Sequence, residues 1–193
     1  MANASKVSPG VLEYVAKLPS GSHAVFCYDR QPEVTHIFAS YLKGAMDRNE
    51  AMHVLAANER VYRKFVQHAL GRTEALQKDR HLGCQLISET LVDQGRLSSA
   101  KARRSSVELL QQDRQRGFQG ARLFGLYTEQ YFEYASPADL LGYEQEPSFN
   151  LPVSAICTYN AGRLAGLGLH NLVLNVFQVH GQIIGKGIAF ARA

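Results

Sequence analysis

The chain has 193 residues, 46% of them hydrophobic and 20% charged, a length that supports one sizeable core and forces no second domain. Its 21 basic and 17 acidic side chains are interspersed, and a net charge of +4 is too small and dispersed for a face that grips nucleic acid. Three widely spaced cysteines (Cys27, Cys84, Cys157), with no Cys-x-x-Cys pair, exclude a disulfide framework and a zinc ribbon.

Residues 1–10 lack the apolar centre of a secretory signal, and no apolar run approaches the ~18 residues that span a bilayer. A cytoplasmic location with no membrane contact is therefore expected. Val11 to Leu18 reads as a short leading helix within an N-terminal extension (1–20), ended by Pro19-Ser-Gly21, and residues 21–193 read as the single domain. A first strand, His23 to Tyr28, feeds a helix from about Glu33 to Arg48, whose apolar residues Val34, Ile37, Phe38, Tyr41, Leu42 and Ala45 recur at spacings of three and four. A second strand (Met52 to Ala57) leads to Asn58, a helix N-cap, and then to a helix bearing Val61, Tyr62, Phe65 and Val66 that Gly71 stops.

Arg72 to Gly83 is polar and aperiodic, hence a loop, and Cys84 to Ser88 is a short third strand. Ser98 or Ser99 caps a basic helix reaching about Arg116, whose low apolar content predicts a surface position with Lys101, Arg103, Arg104 and Arg114 solvated. A fourth strand follows near Ala121 to Leu126. Pro137 opens another helix, closed by the acidic 143–147 segment. Val153 to Tyr159 is a fifth strand, Leu164 to Val179 a long apolar helix suited to the core or to a homo-oligomer interface, and Gln182 to Phe190 a last strand. Strands alternating with helices predict an α/β fold: three layers, a mostly parallel sheet with helices on both faces.

The connection from the first strand to its helix, Asp29-Arg-Gln-Pro32, is where a P-loop would place its glycines, lysine and hydroxyl, and it contains none of them. Ligands of open α/β sheets bind beyond the carboxyl ends of the strands, here Cys27-Tyr28-Asp29, Asn58-Glu59, Ser88-Glu89, Tyr127-Thr128-Glu129 and Cys157-Thr-Tyr-Asn160. His23, Cys157 and His180 would supply three zinc donors or a thiol nucleophile if the fold united them; buried structural roles fit the same residues. Glu50 reads as a polar loop residue before the second strand and Glu144 as part of an exposed acidic patch.

Gly21-Ser-His23, Tyr28, the Gly44 to Glu50 connection, Gly117-Phe-Gln-Gly-Ala-Arg122, Tyr143-Glu144, Ile156-Cys-Thr-Tyr159 and His180 together resemble the MEDS domain, the sensory domain named for methanogens, methylotrophs and the regulator DcmR. Ser22 stands where that pattern commonly has an acidic residue, and Gly181 where it usually has proline. The resemblance implies a degenerate RecA-like fold related to circadian-clock ATPases. It also implies a cytoplasmic, non-enzymatic sensor of a small organic, hydrocarbon-derived ligand that needs no cofactor. Its ligand-binding residues carry over as His23, Tyr28, Glu50, Glu144, Cys157, Tyr159 and His180. Read as a stand-alone sensor, the chain is expected to act in trans on an output protein: a kinase, a phosphatase or a transcription regulator. The alternatives are a degenerate nucleotide-binding ATPase and a metal- or thiol-dependent site on His23, Cys157 and His180.

Overall fold

A computed structural model of the chain describes residues 7–71, 80–145, 153–166, 175, 180, 182–185 and 189–191. Its centre is a seven-stranded sheet in the order β3-β2-β6-β7-β1-β8-β9. The strands are β1 (His23–Tyr28), β2 (Glu50–Ala56), β3 (Leu82–Leu86), β6 (Gly120–Gly125), β7 (Ser154–Asn160), β8 (Gln182–Ile184) and β9 (Ala189–Ala191). Every pairing is parallel except that of β9 on β8. The expected α/β architecture is therefore present, with two corrections: the third strand spans Leu82–Leu86 where Cys84 to Ser88 was expected, with Ile87 and Ser88 helical, and the single last strand is a pair of three-residue antiparallel strands. Gly185 and Gly187, both poor strand formers, stand between them in the sequence.

One face of the sheet is covered by α1 (Pro9–Ala16), α2 (Gln31–Asp47) and α3 (Glu59–Leu70). Ala24, Phe26 and Tyr28 of β1, Met52 and Val54 of β2, and Phe124 and Ile156 pack there against Val34, Ile37, Phe38, Tyr41 and Phe65. These are alternate residues along each strand, as the pleat requires. Val11 and Val15 of α1 join the same core, so the leading helix is built into it. The approach of α1 to α2 depends on Gly44, because a Cβ there would collide with the Ala16 carbonyl. Ser8 and Asn58 cap α1 and α3, each accepting from Val11 and Val61 respectively.

The other face carries α4 (Ile87–Thr90), α5 (Ser99–Gln115), a 3₁₀ turn (Thr128–Glu133), α6 (Pro137–Gln145) and α7 (Ala161–Gly166). A short hairpin, β4 (Val92–Asp93) and β5 (Arg96–Leu97), turns through Gln94 and Gly95, both at positive φ, as a two-residue type I′ turn demands. Ser98 caps α5, and Arg103, Arg104 and Arg114 are solvated as expected. The helix still lies on the sheet, burying Ala102, Ser106, Leu109, Leu110 and Asp113. Of the apolar helix expected over Leu164 to Val179, α7 covers the start; residues 167–174 and 176–179 lie outside the described residues. Among the described residues no helix is long and apolar enough to cross a membrane.

Candidate functional site

The loop after β1 is closed by the protein itself. Asp29 and Arg30 donate their main-chain amides to Oε2 of Glu33, at 3.0 and 3.3 Å, and the Glu33 carboxylate is buried. An anion at a helix N-terminus is favoured by the free amides and the helix dipole. Here the anion is a side chain of α2 itself, Glu33 reaching back from the third helical position to the amides that precede the helix.

The seven residues singled out by the resemblance separate into three groups. His23, Glu144, Cys157, Tyr159 and His180 converge. Strand alternation puts His23 beside Val25 on the face covered by α6, and the parallel pairing of β1 with β7 sets Val25 opposite Cys157. His180 precedes β8, the other neighbour of β1. Glu144 is delivered from α6.

Tyr28 lies on the opposite face at the carboxyl edge, where its ring faces Tyr127 at 6.3 Å between centroids. Glu50 also lies on that opposite face and is not a loop residue: it opens β2, 5% exposed, and accepts from Arg122 Nε at 2.6 Å and Arg48 Nε at 3.2 Å. Arg122, fully buried over the Tyr41 ring, also donates to the carbonyls of Tyr41 and Ala16. The ion pair ties α1 and α2 to two strands. Ser22, where the family pattern is commonly acidic, accepts from Gln182 Nε2 at 3.1 Å and links the start of β1 to β8.

Within the converged group, His23 Nε2 lies 3.4 Å from Cys157 Sγ and 3.6 Å from Glu144 Oε2. His180 Nε2 is likewise 3.6 Å from Glu144 Oε2, and the two imidazole rings are 4.1 Å apart between centroids. Tyr159 donates its hydroxyl to Glu144 Oε1 at 3.0 Å, which fixes the carboxyl group. Glu144 is buried, 3% exposed, so its place in an exposed acidic patch is overturned. Its Oε2 is buried with no hydrogen-bond donor. One ligand atom from each of His23, Glu144, Cys157 and His180 lies within 4.8 Å of the others.

Burial sets the protonation of this group. It lifts the Glu144 carboxyl to about 7, against the lowering effect of the Tyr159 hydrogen bond. It pushes the Cys157 thiol well above its ordinary value, with Glu144 adding to the shift, and it drives His23 well below its own, with His180 adding to that. A thiol held protonated is a poor nucleophile, which weighs against the thiol-catalyst alternative.

The cluster borders a small, partly open chamber of about 30 Å³ beneath β6 and β7, with Leu55, Leu91 and Leu123 on its apolar sides and Tyr131 and Tyr143 in its lining. Two of its wall residues, Ala102 and Ser106, form a small-residue step on α5 that the helical spacing of four made readable in the sequence. A second, open cleft of about 510 Å³ lies at the carboxyl edge, between Tyr28, Gln31, Lys64, Phe65, Tyr127 and Arg163. Of its lining, Tyr28 and Tyr127 stand in strand-end segments expected to carry ligand contacts; Lys64 and Arg163 were hidden in helices with no distinguishing pattern.

No curated protein matches the chain. The family model of the methanogen/methylotroph, DcmR sensory domain matches residues 22–180 of the 193, a span that holds β1, the buried cluster and every strand up to β7. The chain belongs to the MEDS family of sensory domains.

Proposed function

We propose that this domain senses a one- or two-carbon hydrocarbon derivative held in the chamber beside His23, Glu144 and Cys157. The observation that carries the reading is the chamber itself, about 30 Å³, apolar on most sides and polar at one end. Roughly 10–15 Å³ of such space accommodates one water-sized group, so the volume suits a molecule of two or three heavy atoms. Its hydroxyl, carbonyl or halogen would face the polar end of the chamber while its carbon contacts Leu55, Leu91 and Leu123.

Tyr143 gives the signal a route. It lines the chamber and also an outer groove with Arg96, Ser98, Tyr134, Ser136 and Asp139, so a shift of α6 on filling would alter a surface that another protein can read. The reader would be a kinase, a phosphatase or a transcription regulator. Thermal-shift measurements with small oxygenated and halogenated hydrocarbons test the reading; stabilisation by at least one compound supports it, and a flat response across the panel contradicts it.

The carboxyl-edge cleft favours a second reading. Its volume of about 510 Å³ falls in the range of ordinary ligand pockets, and Lys64 and Arg163 suit an anionic organic molecule lying against Tyr28 and Tyr127. Tyr28→Ala separates the two, since it opens the cleft and leaves the chamber intact. Nucleotide binding, the alternative of another class, is disfavoured by the missing lysine and by Glu33 on the amides of the loop.

A further inference from the structure

We infer that His23, Glu144, Cys157 and His180 form a four-ligand site for a divalent cation of the zinc class. A tetrahedral zinc ion with Zn–N and Zn–O of ~2.0–2.2 Å and Zn–S of ~2.3 Å places its donors roughly 3.4–3.6 Å from one another. The separations in the cluster are 3.4 Å for His23 Nε2 to Cys157 Sγ and 3.6 Å for each histidine Nε2 to Glu144 Oε2. All four donors lie within 4.8 Å of one another, so the widest pair needs to close by about 1 Å to reach tetrahedral spacing.

Charge selects the ion. A buried cation is tolerated only when its ligands neutralise it. Two imidazoles, one thiolate and one carboxylate bring a charge of −2, which cancels a divalent ion and leaves a monovalent copper site with an excess negative charge. Mixed nitrogen, sulfur and oxygen donors also suit zinc better than magnesium or calcium, which take oxygen alone. The surroundings are those of a metal ligand set: Tyr159 orients Glu144 through the oxygen that does not face the histidines, and Oε2 is left buried without a donor.

The inference goes beyond the sensory reading and does not depend on it, because it is tested with metal and no organic ligand. Metal-free protein is titrated with Zn²⁺ against a chromophoric chelator, and separately with Co²⁺, whose d–d and thiolate charge-transfer absorption reports geometry and sulfur ligation. The expected result is one equivalent per chain, a tetrahedral Co²⁺ spectrum with a thiolate band, and release of protons on binding. Cys157→Ser removes the thiolate band and weakens Zn²⁺ binding at least a hundredfold; Tyr159→Phe weakens it about tenfold, the usual effect of losing an outer-shell contact. Cys84→Ser, away from the cluster, leaves both unchanged. Should Cys157→Ser fail to fold, Glu144→Gln serves, judged by circular dichroism alongside the titration. Folded wild-type protein that takes up no stoichiometric Zn²⁺, or a Co²⁺ spectrum that lacks a thiolate band or survives Cys157→Ser, overturns the proposal.

Discussion

The Glu33 carboxylate accepts the main-chain amide of Asp29 at 3.0 Å, and with it the loop after β1 is already occupied by an anion of the protein. Two consequences can be measured. Calorimetry with ATP and Mg²⁺ should register no binding in the micromolar range. Glu33→Ala should cost about 1–2 kcal/mol of stability, because two amides at the start of α2 lose their acceptor, and should still confer no ATP binding in the absence of a phosphate-reaching lysine.

Glu144 makes stability depend on pH in metal-free protein. Its carboxyl has a folded-state value of about 7 against an ordinary 4.5, so the folded state holds the proton more tightly than the unfolded state. The contribution is present at the acid end and is lost as pH rises between those two values, reaching about 3 kcal/mol once the buried group ionises. His23 acts in the opposite sense: lowered by burial, it withdraws stability as pH falls below its ordinary 6.5. Urea unfolding with a chelator present, across this range, should show Glu144→Gln gaining on the wild type as pH rises. Parallel curves would contradict the burial of this carboxyl group.

Arg122 should behave as structure and not as part of a ligand site. Arg122→Ala leaves the buried Glu50 carboxylate with the half-exposed Arg48 as its counter-charge and Ser20 as a hydroxyl donor, and should cost about 3–5 kcal/mol. In protein that still folds at low temperature, Zn²⁺ uptake and ligand response should be unaltered, since the ion pair lies across the sheet from the cluster.

Gly44→Ala should loosen the leading helix. The added methyl group meets the backbone of Ala16, which cannot swing aside as a side chain could, so a loss of roughly 1–3 kcal/mol is expected in urea unfolding. Faster amide exchange in residues 9–16 would identify α1 as the part that separates.

Local signals in the sequence located most elements, and nonlocal pairing decided the site. The strand His23–Tyr28 and the caps at Asn58 and Ser98 were readable because each depends on a few adjacent residues. The β4–β5 hairpin escaped because strands of two residues are too short for any alternation to register. Glu50 passed for a loop residue because its partner, Arg122, lies 72 positions away. The joining of His23, Cys157 and His180 was legible only as a condition, since nothing in the chain announces that β1 lies between β7 and β8. Glu144, supplied by a helix from across the chamber, had the bland character of an acidic surface residue.

Ser106 offers the most direct test of the sensory account. It lines the chamber, and its hydroxyl donates to the Ala102 carbonyl one turn back on its own helix, so Ser106→Val adds bulk to the cavity at small cost to the fold. Calorimetry of the wild type and Ser106→Val in parallel, with methanol, dichloromethane and related one- and two-carbon compounds, decides the matter. Saturable binding of at least one compound to the wild type and its loss in the filled variant are expected; equal binding by both proteins, or none by either, would contradict a ligand in the chamber.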